Sequence, residues 1–253
     1  MRFASLGSGS KGNCSVVASD SISIMVDCGF SYKDVIARMK RLDLDPDALT
    51  GIIVTHEHSD HVSGVEALSN RHAIPVYASR GTWIEIGADN YKFSNYISGL
   101  FTIGDIDITP IPVPHDAREP LQFVFGSAGK RLGILSDAGS LSGRILNAFT
   151  ELDALSIEFN HDISLLQRGP YPSYLKTRIS GDYGHLNNDQ AARLIETTVS
   201  DRLCTVVACH ISEINNEVAL IEKALESVLK NRDIQYLVAS QSDGFDWISV
   251  ERR

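Results

Sequence analysis

The sequence has little positive charge and no long hydrophobic run. Its 253 residues include 23 lysines and arginines against 32 aspartates and glutamates, a formal net charge of −9. Because no overall positive field attracts the chain to polyanions, a nucleic acid or an anionic lipid must be bound locally. No apolar run reaches the roughly 18 residues of a transmembrane helix, and residues 1–10 lack the apolar core of a secretion signal. We therefore expect a cytoplasmic protein without a membrane partner.

Paired cysteine motifs and domain linkers are also absent. The four cysteines lie at irregular spacings without a CxxC pair, so neither a zinc ribbon nor a disulfide framework is indicated. No proline-rich or glycine/serine-rich stretch divides the chain, and a single α/β domain often has about 250 residues. Residues 1–253 are therefore predicted to form one domain.

Apolar runs bounded by polar turns predict ten strands, and helical periodicity predicts five helices. The predicted strands are Cys14–Ala18, Ile22–Asp27, Gly51–Thr55, Pro75–Ala78, Ile106–Val113, Leu121–Phe125, Arg131–Ser136, Ala154–Glu158, Leu203–His210 and Tyr236–Val238. The predicted helices are Tyr32–Leu42, Val62–Arg71, Leu141–Phe149, Asp189–Val199 and Glu217–Asn231. Asn187, followed three residues later by Gln190, is typical of a capping box. A block of strands followed by alternating strands and helices favours two packed sheets with helices outside.

The segment from His56 to His61 carries the strongest chemical signal. It has the sequence His-Glu-His-Ser-Asp-His and follows the apolar strand Gly51–Thr55. His56 and His58 are two residues apart, so in an extended segment both side chains point to the same side. Asp60 and His61 lie at the following turn, where they face a second point nearby. Imidazole and carboxylate ligands in this pattern predict a site for two metal ions.

This His-x-His-x-Asp-His segment resembles the signature of the metallo-β-lactamase superfamily, and other landmarks of the superfamily follow in order. Asp27 in Val-Asp-Cys-Gly is similar to the first motif, which braces the histidine loop. His115 in Pro-His-Asp is similar to the third motif, and Asp137 in Ser-Asp-Ala-Gly to the fourth. The resemblance spans nearly the whole chain and implies an α/β fold, the four-layer αββα sandwich, with the site at one edge. At 253 residues the chain leaves no room for the β-CASP insertion of larger nucleases.

The same resemblance assigns roles to two later histidines. His185, in Gly-His-x-x-x-x-Gln-Ala-Ala, is similar to the histidine of ribonuclease Z that acts on the scissile phosphate. Glu158 matches the glutamate that orients this histidine, and helix capping is the alternative role for His185. His210, in His-x-Ser, resembles a later metal ligand.

The resemblance implies two divalent ions, either zinc or manganese, with iron as a further candidate. The implied ligands are His56, His58 and His115 for one ion, Asp60, His61 and His210 for the other, and Asp137 between them. Asp60 is also expected to take part in catalysis together with His185 and Glu158. Asp27 is expected to contact the ligand side chains without binding an ion itself.

Within the superfamily the chain is most similar to the YycJ/WalJ-like group of nucleases. The shared segments are Ser-Gly-Ser-Lys-Gly-Asn at 8–13, Glu-Phe-Asn-His-Asp at 158–162 and His-Ile-Ser-Glu-Ile-Asn-Asn at 210–216. The likeness implies a phosphodiester hydrolase. More specifically, it implies a 5′ exonuclease-like nuclease that acts on a single strand or an end of DNA or RNA. Without a β-CASP clamp, binding of a long duplex would require a homodimer or a partner, or would be weak. The alternatives are a small-molecule cyclic phosphodiesterase, a thioester or lactam hydrolase of the same fold, and a non-enzymatic metal-binding scaffold.

Candidate substrate contacts lie in two segments. The glycine-rich loop 7–13 either presents backbone N–H groups to a phosphate or forms a plain hairpin turn. Segment 161–185 interleaves cations with tyrosines, which suits a single nucleic-acid strand, although a solvated insertion with core tyrosines explains it too. The candidate contacts are Ser10, Asn13, His161, Arg168, Lys176 and Arg178. A buried histidine bonded within its own turn is the alternative for His161.

Overall fold

The computed structural model describes residues 1–252. Seven strands form a first sheet: β1 (Arg2–Gly7), β2 (Cys14–Ala18), β3 (Ser23–Val26), β4 (Leu49–Ile53), β5 (Val76–Ala78), β6 (Ser94–Tyr96) and β14 (Phe245–Ser249). Their order is β14-β1-β2-β3-β4-β5-β6. Pairing is antiparallel from β14 to β3 and parallel from β3 to β6. The carboxyl ends of β1 and of β3 to β6 therefore lie at the same edge.

The second sheet has the same plan. Its strands are β7 (Phe101–Ile103), β8 (Ile106–Pro112), β9 (Leu121–Ser127), β10 (Lys130–Leu135), β11 (Ala154–Glu158), β12 (Thr205–Cys209) and β13 (Gln235–Val238). Their order is β13-β12-β11-β10-β9-β8-β7. Pairing is antiparallel from β7 to β10 and parallel from β10 to β13. The carboxyl ends of β8 and of β10 to β13 consequently share one edge as well.

Nine α-helices and two short 3-10 helices, Pro46–Ala48 and Ala88–Asn90, accompany the sheets within residues 1–252. The α-helices are α1 (Tyr32–Arg41), α2 (Ser59–Val62), α3 (Val65–His72), α4 (Arg80–Ile86), α5 (Gly143–Ala148), α6 (Ile163–Arg168), α7 (Ser173–Ser180), α8 (Asn188–Thr198) and α9 (Val218–Leu229). In this described part of the chain, none of the helices has the length and apolar composition needed to cross a membrane.

Three apolar clusters hold the layers together. Phe3 of the first sheet and Phe123 of the second lie in the cluster between the sheets. Met39 of α1 and Trp83 of α4 pack on the outside of the first sheet, while Leu225 of α9 belongs to the cluster outside the second sheet. The arrangement confirms the predicted αββα sandwich.

All predicted strands and helices are present, β2 and β11 with the predicted ends and the others with shifted ends, but eight strands and α-helices were missed. The missed strands are β1, β6, β7 and β14, and the missed helices are α2, α4, α6 and α7. Strands β6 and β7 have only three residues each, too few to show a period. The predicted helix Val62–Arg71 begins only at Val65 and ends at His72, because the backbone turns at Gly64, whose N–H donates to Cys28 O at 2.8 Å.

The predicted capping box begins α8 at Asn187, two residues after His185. The Asn187 side chain accepts from the backbone N–H of Gln190, whose side chain accepts in return from Asn187 N. We expect Asn187→Ala to lower the free energy of unfolding by about 1 kcal/mol, because a helix N–H loses its acceptor. Urea denaturation measures this change. Asn187→Ser is the control that keeps an acceptor, and equal losses in the two variants would contradict the capping role.

Candidate active site

The predicted ligands come together where the strands of both sheets end. His56 and His58 follow β4, and Asp60 and His61 lie in α2. The second sheet contributes His115 after β8, Asp137 after β10 and His210 after β12. Within each of the following groups the donor atoms lie within 4.8 Å of one another: His56, His58 and His115; Asp60, His61 and His210; His56, His61 and Asp137; and Asp137, Glu158, His185 and His210.

Three imidazoles form the first donor cluster. His58 Nδ1 lies 3.0 Å from His56 Nε2 and 3.3 Å from His115 Nε2. The other ring nitrogens are held from outside, by Thr55 Oγ1 for His56, Asp116 O for His58 and Gly184 O for His115. Because outer partners fix the ring orientations, the three inner nitrogens converge on one point, an arrangement that fits a metal ion.

The second donor cluster contains buried atoms without a hydrogen-bond partner. His61 Nε2 lies 3.2 Å from Asp137 Oδ2 and 3.5 Å from Asp60 Oδ2, and His210 Nε2 lies 3.6 Å from Asp60 Oδ2. Asp137 Oδ2 and His210 Nε2 are both buried and unpartnered. A buried polar atom without a partner is costly. A cation bound between these atoms would satisfy both, so this cluster fits a metal ion as well.

The Asp137 carboxylate is ionised, and its charge raises the pKa of a neighbouring imidazole. Burial by itself would raise the pKa of Asp137, but the charges of His210 and His61 hold this pKa well below its usual range. Burial would lower the pKa of His61, and the carboxylates of Asp137 and Asp27 more than offset that effect and raise it. For His56 burial dominates and lowers the pKa, which keeps this imidazole neutral.

Asp27 and Thr55 form hydrogen bonds that hold the segment from His56 to His61 in place. The Asp27 carboxylate accepts hydrogen bonds from Thr55 N and Thr55 Oγ1, each at 2.8 Å. Its Oδ2 atom also lies 2.8 Å from His61 Nδ1. The structure thus brings Asp27 behind a predicted ligand, whereas the sequence analysis missed Thr55. The signal for Thr55 was its position directly before His56.

Glu158 contacts both of the later histidines through one oxygen. Its Oε1 atom lies 2.7 Å from His185 Nδ1 and 2.9 Å from His210 Nδ1. Its Oε2 atom accepts from the backbone N–H groups of Ala138 and Leu186. Sequence reasoning connected Glu158 only with His185. The shared oxygen links the orientation of that histidine to a predicted metal ligand.

Of the two histidines that contact Glu158, His185 retains contact with solvent: 21% of its side-chain surface is exposed, against 2% for His210. Burial lowers its pKa, but the charge of Glu158 and the hydrogen bond to Asp137 outweigh burial and raise the pKa to about 10. The two carboxylates therefore favour the protonated form of the imidazole. A protonated, partly exposed imidazole beside the donor clusters suits the donation of a proton to a substrate.

Comparison with known proteins agrees with this geometry. A family model described as a β-lactamase superfamily domain matches residues 23–211. The chain belongs to the metallo-β-lactamase superfamily. As predicted, it is a metal-dependent hydrolase, and the buried histidine and aspartate clusters described above are suited to bind the metal.

Relatives and neighbours in this superfamily cover most of the chain. Exodeoxyribonuclease YycJ of Bacillus anthracis is 34% identical over 238 residues, which make up 92% of this chain and 90% of that protein. Exodeoxyribonuclease WalJ of Streptococcus pneumoniae is 32% identical over 241 residues, with the same two coverages of 92% and 90%. The metallo-β-lactamase fold protein YhfI of Bacillus subtilis superposes with a TM-score of 0.76 at 16% identity over 98% of each chain. The first two results confirm the predicted likeness to the YycJ/WalJ group.

The glycine-rich loop of this metallo-β-lactamase fold braces the site with its own N–H groups. Gly9 N donates to Asn13 Oδ1 at 2.9 Å, and Asn13 N donates to Asp60 O at 2.8 Å. Lys11 N donates to Gln241 Oε1 at 2.7 Å. These N–H groups are occupied within the protein and are not presented to a phosphate. Sequence reasoning missed Gln241, because nothing local marks a residue that contacts the loop from 230 positions away.

Asn13 lies inside the site and Ser10 at its margin. Asn13 Nδ2 is 3.1 Å from His61 Nε2 and 3.3 Å from Asp60 Oδ2. Ser10 is exposed and lines a cavity of about 90 Å³ together with Tyr171. Of the two, only Asn13 is in contact with the predicted ligands.

The remaining predicted substrate contacts occupy different environments. His161 is fully buried, and this burial lowers its pKa to about 4, so the neutral ring offers no surface to a substrate in this conformation. Arg178 forms an ion pair with Asp116 at the rim of the site. Lys176 Nζ donates to the backbone oxygen of Gln167 at 2.7 Å, and Arg168 is exposed at the end of α6. The structure therefore places the three cations in α6 and α7, whereas His161 lies in the interior.

Proposed function

We propose that the protein is a dinuclear metal-dependent phosphodiester hydrolase that acts as an exonuclease on DNA. The observation that carries the proposal is the position of His185, whose Nδ1 atom lies 2.7 Å from Glu158 Oε1 beside two donor clusters. A lactam or thioester hydrolase needs no such proton donor aimed at a phosphate oxygen. The names of the two relatives, both exodeoxyribonucleases, support DNA as the substrate.

Charge supports two divalent ions in the site. The carboxylates of Asp60, Asp137 and Glu158 lie among the donor atoms, and their negative charges favour divalent cations there. His56, His58 and His115 would hold one ion, Asp60, His61 and His210 the other, and Asp137 would lie between them. Imidazole with carboxylate suits zinc, manganese or iron. When bound, two such ions lower the pKa of a water molecule towards neutrality and stabilise the attacking and leaving oxygens of phosphoryl transfer.

The protein's own groups supply orientation and a proton. Glu158 Oε1 accepts the Nδ1 proton of His185, so Nε2 is left to donate its proton to the leaving oxygen of the phosphodiester. A positioned general acid of this kind contributes about 10²- to 10⁴-fold to the rate. Asp60, with 24% of its side-chain surface exposed, faces the open side of the second cluster, where its carboxylate would act on the attacking water together with the second ion.

One metal-loaded preparation tests the reaction class. We expect hydrolysis of a 5′-phosphorylated single-stranded oligonucleotide and of bis(p-nitrophenyl) phosphate, but not of a thioester. Cleavage of the thioester alone would overturn the proposal, and cleavage of only the chromogenic diester would identify a small-molecule phosphodiesterase. Circular single-stranded DNA is the matched control, because an exonuclease leaves it intact. Separate 5′ and 3′ labels determine the polarity, which we propose to be from the 5′ end, and an RNA oligonucleotide of the same sequence tests the preference for DNA.

The proposal includes three further features of the protein. They are a single domain without a β-CASP insertion, a cytoplasmic location and a homodimer that would bind longer DNA.

A further inference from the structure

Two tyrosines beside the active site are unusually exposed. Tyr174 has 75% of its surface accessible and Tyr183 has 65%. Large aromatic side chains normally gain free energy by burial, so two such rings at the edge of one site indicate a surface that a ligand covers. The proposed reaction does not use either ring.

The backbone around Tyr183 is clamped although its ring is free. Gly139 packs so closely on this segment that a Cβ at residue 139 would lie 2.4 Å from Asp182 C and 2.4 Å from Gly184 N. Gly184 O accepts from His115 Nδ1 at 2.9 Å. The ring thus projects from a fixed backbone, two residues before His185.

Tyr174 lies in α7, the helix whose Arg178 contacts the rim of the active site. Tyr174 and Arg178 are four residues apart in α7, so they share one face of the helix. Arg178 forms an ion pair with Asp116, whose Oδ1 atom lies 3.5 Å from His115 Nε2. The face that carries Tyr174 is therefore the face turned towards the donor clusters.

We propose that Tyr174 and Tyr183, here called the tyrosine platform, stack on unpaired bases of a single DNA strand whose end lies in the active site. This inference rests on the proposed function and specifies its substrate. A base has a flat apolar face that covers a tyrosine ring, while the neighbouring Arg168 and Lys176 neutralise phosphates. Only unpaired bases expose that face, so a duplex must have a single-stranded or frayed end to bind.

The segment that carries Tyr183 turns back against the end of α7. His185 N donates to Ile179 O at 2.9 Å, and Gly184 N donates to Gly181 O at 2.8 Å. Tyr174 lies five residues before Ile179 in α7, about 7.5 Å along the helix axis at 1.5 Å per residue. Stacked nucleotides repeat about every 3.4 Å along a strand, so we expect the two rings to contact different bases and loss of one ring to leave the other contact in place.

Binding of a phosphorothioate oligothymidylate that the enzyme cannot cleave tests the platform, with fluorescence anisotropy as the readout. We expect Tyr174→Ala and Tyr183→Ala each to raise Kd by about 5- to 100-fold, the usual effect of removing one base-stacking ring. Tyr174→Phe and Tyr183→Phe keep the ring and should change Kd by less than about threefold. Phe93→Ala, which removes a 45% exposed ring at the amino end of β6 away from the site, is the matched control and should leave Kd unchanged.

An oligonucleotide of the same length with abasic residues separates base stacking from phosphate contacts. It should bind the wild-type protein more weakly, and the two alanine variants should bind it as the wild type does. Alanine variants that bind oligothymidylate like the wild type would overturn the platform, as would equal losses on the abasic strand. A changed oligomeric state with unchanged Kd would instead assign the rings to contact with a second copy of the chain.

Cleavage of the unmodified oligonucleotide is measured in parallel. Tyrosine-dependent binding without cleavage by the wild type would overturn the proposed nuclease activity and leave the platform supported. Cleavage with tyrosine-independent binding would do the opposite. Thermal unfolding of each variant checks that the fold is retained.

Discussion

Replacement of His185 by alanine is expected to lower kcat for a phosphodiester by about 10²- to 10⁴-fold while both metal ions stay bound. The imidazole supplies the proton for the leaving oxygen in the proposed reaction, so turnover needs it. Metal binding does not need it, because Glu158 keeps its bonds to His210 and to the N–H groups of Ala138 and Leu186. Steady-state kinetics and elemental analysis of the same preparation measure the two quantities.

His72→Ala is the matched control for this change. His72 lies at the end of α3 and bonds to Tyr32 and Asp47, away from the donor clusters. The control should keep both full turnover and the full metal content. Loss of an ion from the His185 variant would contradict its role as a general acid and would place it among the ligands instead.

Replacement of His210 is expected to remove one ion and leave the other. Its Nε2 atom is buried next to Asp60 and has no hydrogen-bond partner. A cation in the second cluster would therefore lose a ligand when the ring is removed. The first cluster of three histidines is complete without it. The metal content should fall from about two ions to about one per chain, and the Kd of the lost ion should rise by more than about 100-fold.

The backbone at residue 210 decides which variant is informative. His210 has φ of 50°, a left-handed conformation that asparagine tolerates better than alanine. His210→Asn therefore keeps the local fold, and its shorter side chain does not reach the ion. Elemental analysis and native mass spectrometry count the ions in His210→Ala and His210→Asn. Two ions in both variants would contradict the assignment of His210, and a folded His185→Ala protein that lost an ion would exchange the roles of the two histidines.

Local patterns in the sequence were sufficient for the interior of the fold. The strands β2 and β11 were predicted with their observed ends because each is a short apolar run between polar turns. The strand β14 was missed, because its partner β1 lies at the other end of the chain, with Arg2 opposite Ser249. The strand β1 also pairs with β2, but the loop of residues 8–13 between them is longer than a two-residue hairpin turn and gives no hairpin signal.

The sequence by itself determined the layered α/β architecture and the identity of the candidate ligands. The architecture and the ligands between His56 and His61 follow from apolar periodicity and from four metal-binding side chains within six residues after one strand. His115, Asp137 and His210 were identified through the resemblance to the metallo-β-lactamase superfamily. Only the tertiary structure decided that Glu158 shares one oxygen between His185 and His210, that Gln241 occupies an N–H group of the glycine-rich loop, and that His161 is buried while Tyr174 and Tyr183 are exposed. The physical reason is that a residue's contacts and exposure depend on segments far away in the chain, which meet at one edge because the strands of both sheets end there.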